Sequence, residues 1–395
     1  MPAKRVPTKP TRNLGHYITT SVGGETVKAY IPSRLPPIPP VNLGRLHRRI
    51  ELADRAVGRL DGLSSLVPDT NLLLYSYVRK EAVLSSQIEG TQSSLSELLL
   101  FENSAAPGVP VDDVEEVSNY VAAMQHGLRR LRNGFPLSLR LIREMHAILL
   151  RGGRGSNKTP GEFRRSQNWI GGTRPGNASF VPPPPNRVME CLDPFEKFLH
   201  DDSGSLPLLV RLGLIHVQFE SIHPFLDGNG RLGRLLITLL LCEKKALREP
   251  LLYLSLFFKT HRDHYYDLLQ RVRTEGAWED WLAFFLEGIE STAGEVSQAV
   301  RRSLALFTAD RKRIQGIGRA SSSALRVQEY MQKRPIANIA AMSKTLALSV
   351  PTVTAALEHL NRLGITKEMT GRMRGRVFSY SKYLAMVAAG TEPIR

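Results

Sequence analysis

The sequence predicts an all-α body that carries a small β-hairpin flap and is followed by a winged helix-turn-helix at its C-terminal end. Three observations lead there. Apolar residues recur at helical spacing from Leu43 to about residue 310. The pattern is broken at length once, by about thirty residues rich in Gly, Pro, Asn and Ser in GRGSNKTPGEFRRSQNWIGGTRPGNASFVPPPPNRV. Beyond Gly316–Gly318, three short helical pieces precede two strand-like pieces set about a Gly/Arg turn.

Taken in order, residues 1–42 are proline-rich, ending in PSRLPPIPP, and predict an extended arm with a strand at TVKAYI. Residues 43–139 read as an N-terminal helical region. Its pieces are NLGRLHRRIELADRAVGRLDGL, then LLLYSYVRKEAVLSSQIEGTQSSLSELLLFE, the loop SAAPGVP, and VDDVEEVSNYVAAMQHGLRRL. The last has acids near its start and arginines near its end, as a helix dipole prefers. Residues 140–295 form the central body, opening with the helical LSLRLIREMHAILLRGG. The long loop follows, with a short hairpin around QNWIGG…ASFV as the flap. Helices resume in VMECLDPFEKFLHD, PLLVRLGLIHVQFESI, RLGRLLITLLLCEKKA and HRDHYYDLLQRVRTEG, and a long one begins at AWEDWLAFF. Residues 296–320 are that helix's end and a linker, and 321–390 the winged helix-turn-helix.

At 395 residues the chain exceeds one typical core and accommodates two or three domains. It is 42% hydrophobic and 23% charged, and its apolar runs are broken by charges before reaching the length of a membrane span. MPAKRVPTKPTRNLGHY has no apolar signal core, so a cytoplasmic protein with no membrane partner is expected. Two cysteines, Cys191 and Cys242, are too few and too distant for a zinc site. The net charge of +16 favours a polyanionic partner, nucleic acid or nucleotide.

The densest chemistry lies in HPFLDGNGRLGR, residues 223–234. Gly228, Asn229 and Gly230 can adopt backbone conformations closed to branched residues and expose successive N–H groups as an anion nest. A helix opening near Arg231 favours phosphate at its N-terminus, and Arg234, three residues on, can bring a second guanidinium to the same end. Guanidinium meets phosphate oxygens in pairs. Asp227 can hold a divalent ion, and His223 can take a proton from an attacking hydroxyl. There is no Walker A loop and no HExxH arrangement.

This stretch resembles the full signature of the Fic family, HPFxDGNGRxxR, at every fixed position. The resemblance implies an all-α Fic-type helical core that transfers AMP from ATP to a Tyr, Ser or Thr hydroxyl of a protein, self-modification included. It implies His223 as the base and Asp227 as the Mg2+ ligand. Asn229 and the amides around Gly228 and Gly230 would hold the α-phosphate, Arg231 the phosphate chain and Arg234 the γ-phosphate, with Leu226 and Gly233 completing the nucleotide loop. Relatives that act as kinases commonly replace the second glycine of GNG, so Gly230 favours AMP transfer.

SSQIEG, residues 85–90, resembles the same family's inhibitory motif (S/T)xxxE(G/N), with Ser85, Glu89 and Gly90 matching. A carboxylate reaching Arg234 would occupy the γ-phosphate position. The resemblance further implies that the 160–185 flap pairs with an extended stretch of the protein substrate. It also makes LLYLSLFFKTHRDHYYDLLQRVR the wall behind the nucleotide, with Leu254, Tyr265 and Tyr266 on the adenine or ribose side. His261 stands where many relatives have Asn. The segment 336–380 is a candidate DNA contact, with GRMRGR as an arginine-tipped wing, and a homodimer is also expected. The alternatives are a DNA-binding transcriptional regulator with a Fic core as nucleotide sensor, and an enzyme whose main activity is removal of AMP.

Overall fold

The computed structural model describes residues 12–66, 71–104, 111–152, 155–201, 203–372 and 374–393. The first eleven residues of the expected arm and most of the SAAPGVP loop lie outside them. The rest of the arm is not simply extended. β1 (His16–Val22) and β2 (Glu25–Ile31) form an antiparallel hairpin with His16 opposite Ile31. Its two-residue turn is Gly23–Gly24, both at positive φ, which a tight hairpin turn requires. The reading anticipated β2 alone. β1 faces solvent along most of its length and so lacks the alternating apolar signal of a half-buried strand.

The helical body begins with α1 (Leu43–Leu66), which lies along the longest helix of the chain, α11 (Trp278–Gln315). The single helical run expected from Leu72 to Glu102 is two helices, α2 (Asn71–Ile88) and α3 (Leu95–Ser104). Gly90 at φ +104° ends the first, and a reciprocal capping pair starts the second. Ser94 N donates to Glu97 Oε2 at 2.7 Å and Glu97 N to Ser94 Oγ at 3.3 Å. α4 (Val111–Arg132) and α5 (Leu139–Leu149) follow, the latter capped by Ser138.

α6 (Val188–Leu199), α7 (Leu208–Ile222) and α8 (Asn229–Glu243) come next, then α9 (Ser255–Thr260) and α10 (Arg262–Glu275). Every residue of α7 from Leu209 to Ile222 is buried, and most of α8 is too. A helix covered on all sides lies at the centre of its domain, and these two carry the 223–234 loop between them. α2 is tied to this centre by a buried carboxylate. Glu81 accepts from the Ser255 hydroxyl, from Ser255 N at 3.3 Å and from Tyr120 Oη at 3.3 Å, and burial raises its pKa to about 7.

The expected flap is reduced to one antiparallel bridge, Ile170 to Phe180, around a 3-10 turn at Pro175–Asn177. It is held from outside by the N-terminal hairpin. Tyr30 N donates to Val181 O at 2.9 Å, and Glu25 meets Arg174 at 2.8 Å and Gly176 N at 2.8 Å.

The C-terminal unit runs α12 (Ser321–Lys333), β3 (Ile336–Asn338), α13 (Ile339–Leu346), α14 (Val350–Arg362), β4 (Thr366–Glu368), β5 (Val377–Tyr380) and α15 (Ser381–Ala388). Its antiparallel sheet has the order β3-β5-β4. Two details differ from the reading. IAN begins as a strand, with Asn338 then capping α13 through Ala341 N at 2.7 Å, and α15 was not anticipated. Among the described residues no single helix is long and apolar enough to cross a membrane.

Candidate active site

α7 ends at His223, whose backbone is left-handed at φ 49° and ψ 60°. A non-glycine residue adopts that conformation only when its surroundings enforce it. Here His223 N donates to Phe219 O at 2.9 Å, and its carbonyl accepts from Arg164 Nε at 2.9 Å. Arg164 is buried in the segment before the flap and also donates to Pro183 O, while its own N–H reaches Pro224 O at 2.9 Å. It therefore fixes the histidine's backbone and the base of the flap together.

The His223 side chain is 17% exposed, with Nδ1 at 3.9 Å from Glu220 Oε2. Burial, then the charges of Arg164 and Arg273, lower its pKa to about 3, so it is neutral at physiological pH and able to accept a proton. Glu220 is itself buried, and burial above all raises its pKa to about 7. Arg273 sits behind it, donating to Ser221 Oγ at 3.2 Å and Glu220 O at 3.3 Å, with its guanidinium 3.8 Å from the centre of the Phe180 ring.

The loop closes on itself. Asn229 Oδ1 accepts from Phe225 N at 2.9 Å and its Nδ2 donates to Phe225 O at 2.8 Å. Its amide thus bonds both backbone groups of Phe225 and shapes the turn. Phe225 stacks on His146 at 3.7 Å between centroids. Gly161 N donates to His146 Nδ1 at 2.8 Å, so the ring proton is on Nε2, which faces Asp227 O at 3.0 Å. Gly228, at φ +77°, starts α8, and its N–H meets Asp227 Oδ1 at 2.6 Å. Leu226 is half-buried on the same loop.

The two arginines diverge. Arg231, 2% exposed, pairs with Glu116 of α4 at 2.7 Å and lies 3.6 Å from Asp227. It was expected on the phosphate chain beside Arg234, but a guanidinium buried so deeply needs polar partners, and α4 supplies a carboxylate. Arg234 turns to α2. Its Nε donates to Ser85 Oγ at 2.9 Å, and its Nη2 to Ser85 O at 2.9 Å and Glu89 Oε1 at 2.7 Å.

Burial opposes the charged form of Glu89, but Arg234's charge and hydrogen bond outweigh it, and its pKa is lowered. Burial likewise opposes charge on Arg234, yet Glu89 raises its pKa. A Cβ on Gly230 would stand 2.3 Å from Glu89 Oε1, so the bare backbone there is what admits the carboxylate. Gly233 has a different use: a Cβ would meet Glu220 Oε1 at 2.5 Å, and the glycine lets α8 approach α7. It is a packing residue, where a place in the nucleotide loop was expected.

Of the three residues expected behind the nucleotide, only Tyr266 opens to solvent, at 38% exposed. Its pKa is raised to about 12, by burial first and then by Glu89. Tyr265 is in the core, with its hydroxyl 2.8 Å from His216 Nε2 and its ring stacked on Phe258. Leu254 is buried against Gly288. His261 is exposed at the end of α9, with Nδ1 3.0 Å from Phe257 O.

Glu220, Arg164, His146, Arg273 and Glu116 escaped the sequence reading. Glu220 could have been found, since an acid three residues before His223 in an otherwise apolar helix must be buried beside it. The others are lone polar residues distant in sequence and carry no local signal.

The site thus sets a neutral histidine beside a glycine-started helix, with a buried arginine already occupied by a carboxylate of the same chain. Residues 47–129 match the model described as Fic/DOC family N-terminal, and residues 136–241 the model of the Fic/DOC family. These two stretches are where the chain is similar to the Fic/DOC family.

A protein adenylyltransferase Fic of Aedes aegypti is 34% identical over 255 residues, which is 62% of this chain and 47% of that protein. Its counterpart from Culex quinquefasciatus is 33% identical over 210 residues, 52% of this chain and 39% of that protein. The chain thus spans less than half the length of these curated relatives. Among solved structures, a Fic family protein from Desulfovibrio desulfuricans G20 superimposes with a TM-score of 0.53 at 18% identity, covering 84% of this chain and 96% of that one. That likeness concerns the fold.

Proposed function

We propose that the protein transfers AMP from ATP to a hydroxyl side chain of a protein, and that its own Glu89 restrains it. The observation that carries this reading is the Glu89 carboxylate lying 2.7 Å from Arg234, over a glycine that leaves room for it. An arginine held so deeply and met so closely marks where a phosphate's negative charge would sit. The name borne by the curated relatives supports the same reaction.

In the reaction, the hydroxyl oxygen forms a bond to the α-phosphorus and its proton passes to His223. The bond to the bridging oxygen breaks and pyrophosphate leaves. With Nδ1 turned toward Glu220, Nε2 is the nitrogen left to receive the proton. Arg234, once released by Glu89, offsets charge on the departing phosphates. No group of three or more metal-ligating side chains occurs among the described residues. Asp227 alone, 31% exposed, fits magnesium, which takes one or two carboxylates and fills its shell with phosphate oxygens and water. Such an ion would neutralise charge across the phosphates.

The protein substrate would lie along the 160–185 segment. Val181 O is already taken by Tyr30, so the stretch around Trp169, more than a third exposed, is the one left for its backbone. The test is labelling with α-labelled ATP and Mg2+, wild type against E89G, followed by mass spectrometry of the modified residue. Strong labelling by E89G is expected, and equal labelling by the two proteins would overturn the reading.

A second activity rests on the C-terminal unit. We read it as a winged helix that binds DNA, because α13 and α14 meet at 114° ahead of an antiparallel sheet. Val350, at the start of α14, is half exposed, and Arg372 and Arg374 lie on the connection between β4 and β5. Duplex binding that weakens with salt, and weakens further when Arg372 and Arg374 are replaced, is the expected result.

A further inference from the structure

The C-terminal end of the described chain lies directly on the inhibitory motif. Gln87, two residues before Glu89 and 2% exposed, donates both amide hydrogens to backbone: to Ser93 O at 2.8 Å and to Thr391 O at 2.8 Å. Thr391, also 2% exposed, accepts from Leu95 N at 3.3 Å through its hydroxyl, which itself donates to Ala388 O at 2.7 Å. On the far side Lys259 binds the same strap, donating to Gly390 O at 3.1 Å and to Glu392 O. Gly390, at φ +82°, passes so close to Leu256 that a Cβ would stand 2.9 Å from it.

These contacts converge on the break between α2 and α3, where the helix is already at its end. Glu89 N and Thr91 N both reach Ser86 O, and Gly90 N reaches Gln87 O. A helix end of this kind frays unless something covers it. Thr91 and Ser93 are nonetheless buried, and the strap that leads out of α15 bonds to Gln87 and Leu95 on either side of them. The rest of the C-terminal unit adds a further tie, from Asn338 Nδ2 to Asn103 O at 3.1 Å.

We propose that Gln87 and Thr391 are positioning residues for Glu89: the strap after α15 clamps the end of the inhibitory helix, so that displacing the C-terminal unit releases Arg234 to nucleotide. This rests on the reading of Glu89 as an internal inhibitor. It differs from that reading in making inhibition depend on a segment some three hundred residues away in sequence.

The test compares Q87E and T391A, each alone and combined with E89G, in the full chain. Q87E sets a carboxylate against two carbonyls, and T391A removes one hydroxyl from the Leu95 amide. Each is expected to raise AMP transfer when Glu89 is present, about tenfold for Q87E and less for T391A, and neither to raise it further in E89G. A rise of the same size in E89G, or none in a folded Glu89-containing variant, would overturn the proposal. Hydrogen exchange provides a readout free of catalysis. The amides of Glu89, Gly90 and Thr91 should exchange faster in T391A, and unchanged exchange overturns the clamp even where Q87E fails to fold. If instead E89G itself shows no gain while those amides do loosen, the inhibitory reading fails and the clamp stands.

Discussion

Two glycine- and asparagine-rich loops sit side by side in this protein and are held in opposite ways. In residues 223–230 the turn itself is shaped by the loop's own side chains. Asn229 bonds both polar groups of Phe225, and Asp227 receives the amide of Gly228. Residues 160–185 are held from without, by Arg273 against Phe180, by the N-terminal hairpin through Tyr30 and Glu25, and by the carbonyls of His223 and Phe225 that Arg164 and Asn168 reach. A loop closed by its own residues announces its shape in a short motif. A loop closed by distant ones does not.

The largest effect expected falls on the self-closed loop. In an E89G background, H223A should lower AMP transfer by roughly 10²–10⁴-fold with nucleotide affinity nearly unchanged, measured by labelled-AMP incorporation alongside calorimetry. Retention of the parent rate would remove His223 as the base.

Stability sharpens the contrast. R164M removes a buried guanidinium that serves the carbonyls of both loops, and should cost roughly 3 kcal/mol by urea unfolding together with most activity. N229A breaks contacts within one loop only and should cost about 2 kcal/mol. A larger loss for N229A would mean that the outer supports matter less than their burial implies.

At the exposed edge of the flap, E25Q should cost under about 1 kcal/mol, because the Glu25–Arg174 pair is partly solvated. Its consequence should appear instead as a raised KM for protein substrate with kcat held. Smallest is the response to mild acid. The pKa of Glu89 is lowered, so its contact is fully formed above the ordinary glutamate range and is lost only as pH falls through the lower folded value. Inhibition should therefore persist from pH 8 to 5, and relief of inhibition by pH 5 in a transfer assay would contradict the pairing.

The same division explains what was legible beforehand. The helical body, the signature 223–234 and the pairing of Glu89 with Arg234 were readable because their signals are local or motif-borne. Arg231 was misplaced because its spacing from Arg234 describes one helix, and spacing says nothing of Glu116 on another. Tyr265 went astray for a related reason: adjacent tyrosines on a helix point apart, and only packing decides that Tyr266 faces the site while Tyr265 meets His216.

By itself, the sequence determined which groups stand together: a histidine, a glycine-rich helix start and, in a second short motif, a carboxylate, each written in a handful of neighbouring residues. Tertiary structure alone decided the remaining pairings. Arg231 meets Glu116 of α4, and Gln87 bonds Thr391 O, because buried polar groups must find partners and those partners come from segments far apart in the chain.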